Sequence, residues 1–221
     1  MSSSKPTNAR PFHSITTPRL ILRSGVPQDA RAVATIRSEP LNNPHGGVHE
    51  PDLPIETQAQ RLLEQQESTA AGKNAWMQIL LKPIFTDHIV EELLVEDGVM
   101  IGMTGFNSFP TATLKTGTKE MDVIVGDTGA MIDYRYARKR YALEAIEAIF
   151  EYGFAELGCG MMNIDTAVEN KPWRTLMKTL GLEDVEKLVK TDTGEEVVYK
   201  FDKEKWDGCK KGLKERGKWM L

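Results

Sequence analysis

The stretch that most restricts what this chain can become is "YALEAIEAIFEYGFAEL", residues 141–157. Ala142, Ala145, Ile146, Ile149, Phe150, Gly153, Phe154 and Leu157 recur at helical spacing, with Glu144, Glu147 and Glu151 opposite them. That pattern predicts a helix with two well-defined faces, one apolar and one acidic. Gly158 and Gly160 stop it. A run reading as a strand, "MDVIVGDTGAMI", comes before it, and another, "MMNIDTAV", comes after.

The remaining elements agree with this centre. "TPRLILR" reads as a strand and "PQDARAVATIRSE" as a short helix. "EPLNNPHGGVHEPDLP" is a loop, because Pro, Asn and Gly punctuate it, and "IETQAQRLLEQQESTA" returns to helical period. "AWMQILLK" is a strand stopped by Pro83, and Asp97-Gly98 marks a tight hairpin in "ELLVEDGVMIGMTGF", with "PIFTDHIVE" inserted between them. "PWRTLMKTLG" is a helix with Pro172 in its first turn and Gly181 past its end, and a hairpin about Thr193-Gly194 follows. The order describes a mixed α/β fold, a twisted sheet of about seven strands with helices on its faces. With 221 residues, 40% of them apolar, one domain is expected over residues 15–206. Residues 1–14 are expected to be a disordered leader, and residues 207–221 a basic, solvated tail.

A net charge of −4 argues against a surface devoted to nucleic-acid phosphates, so any cationic site must be local. Cys159 and Cys209 form no C-x-x-C pair and suit a reducing compartment. No apolar stretch approaches a membrane span, and the first residues lack a secretory signal, so cytoplasm, or otherwise the nucleus, is expected. His45 and His49 are four apart, but Gly46-Gly47 between them makes a helical metal pair unsuitable, and no metal is expected.

Arg138, Lys139 and Arg140 stand at the start of the central helix, the end where the backbone dipole is already positive. Two readings stay open. Three long side chains can point into water, or an anion such as a cofactor's diphosphate can bind among the unpaired amides.

From this point the residues resemble the GNAT superfamily of acetyl-CoA-dependent N-acetyltransferases, and within it the branch acting on ribosomal-protein N-termini. A strand, a basic loop, "YALEAIEAIFEYGF", another strand, Asn170 and "LMKTLGL" follow the family order, and the likeness runs from about Thr17 to Trp206. The resemblance implies one GNAT domain whose sheet splays between its fourth and fifth strands, with acetyl-CoA as co-substrate in the splay. Arg138, Lys139, Arg140, Tyr141 and Ala142 fall on the pyrophosphate loop, and Asn170 on the cofactor-side asparagine. Backbone amides near Met131 and Ile132, beside a bulge in the strand before the loop, would hold the acyl and pantetheine groups. Two loop positions depart: Ala137 replaces Gln or Arg, and Arg140 replaces a glycine. In helical φ/ψ Arg140 can still donate its N–H and clasp a phosphate, or it can crowd the loop. Trp173 stands at a usual serine and reads as core packing or as a substrate platform. Met177 falls near a tyrosine that protonates the thiolate in many relatives, so the acid is unassigned.

The implied reaction is direct attack of an amine on the thioester, with the protein orienting the reactants and removing one proton. Asp127 lies where relatives carry a glutamate and is the candidate base, or else a turn residue of "GDTG". Asn107 and Ser108, ending the preceding strand, are candidates to position the amine or to donate a proton. His49 and Glu50 are candidate contacts for the acceptor, a small-molecule or peptide amine, in a monomer or homodimer. A non-catalytic acyl-CoA-binding or interaction module of the same fold is the alternative, and a protein binding another nucleotide is a third.

Overall fold

In a computed structural model, which describes residues 7–42, 44, 54–85, 88–116, 119–192 and 194–221, ten strands form one sheet. They are β1 (Ser14–Thr16), β2 (Leu20–Ser24), β3 (Ala75–Leu81), β4 (Leu94–Val95), β5 (Gly98–Ser108), β6 (Thr111–Thr116), β7 (Lys119–Ile132), β8 (Cys159–Ala167), β9 (Glu186–Thr191) and β10 (Gly194–Asp202). The order is β1-β2-β3-β5-β7-β8-β10-β9, with β4 also on β5 and β6 also on β7. Only β7 and β8 pair in parallel. The class is the mixed α/β one expected, but the strands outnumber the expected total of about seven. Three-residue β1 and two-residue β4 are too short to show in a periodicity. The alternation of β6, "TATLKT", is too polar to do so, and its pairing with the first half of β7 is what makes it a strand.

Among the described residues five α-helices cover the sheet: α1 (Ala30–Ser38), α2 (Ile55–Ala70), α3 (Tyr141–Ala155), α4 (Lys171–Leu180) and α5 (Lys203–Glu215). Local signals hold at the turns. Gly181, with φ 84°, is the left-handed residue that closes α4, and Gly98, with φ 151°, passes so close to Leu81 that a Cβ would lie 2.5 Å from its carbonyl oxygen. The apolar face of α3 is in the core as predicted, with Ala145, Ile146, Ile149 and Phe150 fully buried.

The opposite face of α3 is buried as well. Glu144 and Glu147 are 0% exposed, so the helix is enclosed on both sides. Glu144 accepts from Thr17 Oγ1 at 2.6 Å and pairs with Arg19 at 2.6 Å; Glu147 accepts from the Met220 amide at 2.8 Å. Glu151 accepts from the Trp206 indole at 2.6 Å and pairs with Lys210. Helical period gives the stripe its direction but not what covers it. The cover comes from the β1–β2 corner and from residues 203–221, distant in sequence.

The segments placed in the leader and the tail contribute to this packing. Thr7 Oγ1 donates to the Leu157 carbonyl at 2.7 Å, and His13 is fully buried. Cys209 and Leu213 of α5 are buried with Trp206. No helix among the described residues is long and apolar enough to cross a membrane.

Candidate active site at the sheet splay

The parallel ladder between β7 and β8 runs from Ile124 opposite Cys159 to Asp127 opposite Asn163, and there it stops. Both strands go on. β7 continues to Ile132 against β5, and β8 continues to Ala167 against β10, so the sheet opens between them beyond Asp127 and Asn163. Asp133 donates its amide to the Ile101 carbonyl at 2.8 Å, which fixes the alternation of the β5–β7 ladder. Met131 therefore exchanges bonds with Met103, while Ala130 and Ile132 turn their N–H and C=O groups toward the opening. The sequence pointed to the amides of both Met131 and Ile132; only Ile132 faces the opening, joined there by Ala130.

The expected bulge is also elsewhere. The β5–β7 register is unbroken from Gly102–Ile132 to Phe106–Thr128 and then skips Asn107, so the extra residue lies in β5. Asn107 is exposed, whereas Ser108 and Asp127 meet: Ser108 Oγ is 3.4 Å from Asp127 Oδ2, and Asn163 Nδ2 donates to Asp127 Oδ1 at 3.2 Å. Side chains alternate across a strand. Gly126 and Met162 face Phe106 and Gly153 of α3, so Asp127 and Asn163 face the other side of the sheet. There they border a depression of about 370 Å³ with Ser108, Thr111, Asp165 and Lys200. Burial, then the charges of Asp127 and Glu196, push the Asp165 carboxyl above its ordinary value.

At the far end of β7 the chain turns on a rigid bracket. Asp133 is fully buried and accepts from Arg135 Nε at 2.7 Å, Arg135 Nη2 at 2.8 Å and Asn42 Nδ2 at 3.0 Å. Burial works to raise its pKa, but these donors outweigh burial and hold it below the usual carboxylate range. Tyr136 is buried, with its hydroxyl on the His88 carbonyl at 3.1 Å, so the inserted segment backs the loop. Arg138 (φ 65°) and Arg140 (φ 64°) are then left-handed. Arg140 is thus not in helical φ/ψ as assumed: it keeps a conformation that favours glycine, at a strain of about 1 kcal/mol.

Arg140 is also the N-cap of α3 and makes no side-chain cap bond; a guanidinium has no acceptor to offer. The first bond of α3 runs from Glu144 N to Arg140 O at 3.2 Å, which leaves the amides of Tyr141, Ala142 and Leu143 without intrahelical acceptors. Lys139 lies 5.9 Å from the Tyr136 ring centroid. Arg138 and Arg140 are exposed, and neither has an ion-pair partner among the described residues. Open amides beside unpaired cations suit a diphosphate.

Sequence reasoning did not find what holds this loop. Arg19 donates from Nη1 to the Lys139 carbonyl at 3.1 Å and from Nη2 to the Arg140 carbonyl at 3.4 Å. Its Nε pairs with buried Glu144, and its guanidinium lies 4.6 Å from the Tyr141 ring centroid. The motif "TPRL" was visible, and so was the acid at residue 144, but not their contact across the chain. Asn170 caps α4, accepting from the Trp173 amide at 3.2 Å and donating to Thr166 of β8 at 2.9 Å. Met177 is fully buried on the same helix. His49 and Glu50, with His45, lie outside the described residues.

A model of the GNAT acetyltransferase domain matches residues 19–183. The chain belongs to the GNAT acetyltransferases. Membership makes it an acyltransferase, and solved GNAT structures share its fold. RimJ of Mycobacterium smegmatis, in complex with CoA-disulfide, has a TM-score of 0.66 at 14% identity, covering 97% of this chain and 98% of its own. RimL, a ribosomal L7/L12 α-N-protein acetyltransferase in complex with coenzyme A, gives 0.62 at 11%, covering 86% and 98%. Apo FdhC, a nucleotide-linked sugar GNAT, gives 0.65 at 17%, covering 95% and 99%. No curated protein matches the sequence. At these identities the likeness speaks for the fold, and it includes members of the branch that the sequence resembles.

Proposed function

We propose that this GNAT protein moves an acetyl group from acetyl-CoA to a primary amine, on a protein N-terminus or a small molecule, by direct attack in a ternary complex. The observation that carries the reading is the splay itself: open amides of Ala130 and Ile132 on one strand, a cationic uncapped helix start at its end, and Asp127 at its vertex. Similar folds are known with CoA in RimJ and RimL, and with acetyl-CoA and AMP in the self-immunity acetyltransferase MccE.

Acetyl-CoA supplies the activated acyl group. Arg138, Lys139 and Arg140, with the amides of Tyr141 and Ala142, hold its diphosphate, and Asn170 borders the β8 side. The Ala130 and Ile132 amides take the pantetheine and acyl oxygen, serving in part as an oxyanion site. Asp127 receives the amine's proton through water, oriented by Asn163 and Ser108. The acceptor enters over the depression on the face away from α3.

Calorimetric titration with CoA, followed by thiol release across a panel of amines, tests this. Asp127→Asn is expected to lower kcat by about 100-fold while CoA affinity holds. If CoA leaves the protein's heat signature and Tm unchanged, the reading fails. One observation favours a second reading, a CoA-binding module with little activity: buried Met177 offers no proton for the departing thiolate. Tight CoA binding with no amine acetylated selects it.

A further inference from the structure

The transferase reading does not use the acidic stripe of α3, and one member of the stripe differs from the other two. Glu147 is 0% exposed, and its Oε2 accepts a single bond, from the Met220 amide at 2.8 Å, while its Oε1 has no partner. Its neighbours on the stripe are carboxylates that are already engaged, Glu144 by Arg19 and Thr17, Glu151 by Trp206 and Lys210. From α5, Lys210 serves Glu151, and the Lys214 ammonium lies 5.5 Å from the Trp219 ring centroid. No ion pair joins a cation to Glu147 among the described residues.

The donor to Glu147 belongs to a short piece of chain after α5. After α5 the backbone turns at Gly217 (φ 61°), and Lys218 N bonds Leu213 O at 2.9 Å. Trp219 then lies against Trp206, with ring centroids 6.0 Å apart. Leu221 forms a wall of a cavity of about 410 Å³ with Pro18, Ala148 and Tyr152. We propose that residues 218–221 are a strap latched on Glu147, closed while that carboxyl is protonated and released as it ionises.

The reason is the balance of solvation. A protonated carboxyl tolerates this enclosure, but a carboxylate with one neutral donor and two acidic neighbours does not, and lifting the segment that carries Met220 admits water to it. Burial, opposed by the Met220 N–H and assisted by Glu144 and Glu151, raises the pKa to about 7. With the strap open the group returns toward its ordinary value of 4.5. The ratio of open to closed therefore climbs about tenfold per pH unit between those two values and levels off above the higher one.

Incorporation of 5-fluorotryptophan, with the Trp219 resonance assigned through Trp219→Phe, reads this by 19F NMR. The solvent-exposed Trp219 signal is expected to grow more than tenfold from pH about 5 to about 7 and then hold. Glu147→Gln, which keeps an acceptor for Met220 but cannot ionise, is expected to abolish the change. Hydrogen exchange of residues 214–221 in the unaltered protein, referenced to a free peptide of that sequence, gives the same answer without a variant: protection falls over the same interval. A Trp219 signal and an amide protection that ignore pH overturn the proposal, and so does a Glu147→Gln protein that responds as the original does. Neither readout involves acetyl transfer, so the strap and the transferase reading stand or fall separately.

Discussion

Arg140 carries a contradiction that only its backbone resolves. As a side chain it supplies charge for a diphosphate; as a left-handed residue it occupies a conformation that glycine adopts freely. Arg140→Gly is expected to raise stability by about 0.5 kcal/mol, the relief of strain exceeding the extra freedom of the unfolded chain, as read by thermal denaturation. The same variant is expected to bind CoA more weakly because a cation is lost; a lower Tm would show that the strain is absent. The departure at this position was legible in the sequence, since Arg stands where the resembling family has glycine. Its φ was not, because side-chain identity argues against a left-handed residue and only the packed loop imposes it. Asn107 shows the same limit: alternation places it at the end of a strand, but the bulge that exposes it comes from the register with β7.

At the scale of elements, α3 organises the molecule through both faces. Its apolar face follows from spacing and was legible; its acidic stripe was legible as a stripe, and the fold makes it a row of three sockets, for the β1–β2 corner, residues 218–221 and α5. Glu144→Ala breaks a buried pair and leaves Arg19 and Thr17 without their partner, so a loss of about 3 kcal/mol in chemical denaturation is expected. Because Arg19 also holds the Lys139 and Arg140 carbonyls, Arg19→Ala is expected to weaken CoA affinity by roughly 10-fold although it touches no ligand in the proposed site. Unchanged CoA titration in Arg19→Ala would refute the clamp. Helical period reports which residues share a face; it cannot report whether water or protein lies against that face.

For the whole molecule, two buried groups make stability depend on pH in opposite senses. Glu147 binds its proton more tightly when folded, so its contribution is full below its unfolded value of 4.5 and is lost as pH rises to about 7. His13, lowered to about 4 by burial and then by Arg10, binds its proton less tightly when folded. Its contribution is full above 6.5 and is lost as pH falls toward about 4. The difference in Tm between Glu147→Gln and the original protein is therefore expected to rise from pH about 4.5 to about 7 and then stay level; a flat difference would mean that Glu147 is not held protonated. For His13→Gln the difference in Tm from the original protein is expected to be level above pH about 6.5 and to shift in the variant's favour as pH falls toward about 4.

The sequence by itself determined the class of fold, the central helix with a strand on each side, the cationic loop and the family, because these rest on local period, turn chemistry and short-range motifs. Tertiary structure alone decided where the sheet opens, which amides face the opening, that Arg19 and Glu144 meet, and that the acidic stripe is enclosed. Each of these depends on strand register or on contacts between residues far apart in the chain, and no local spacing encodes either.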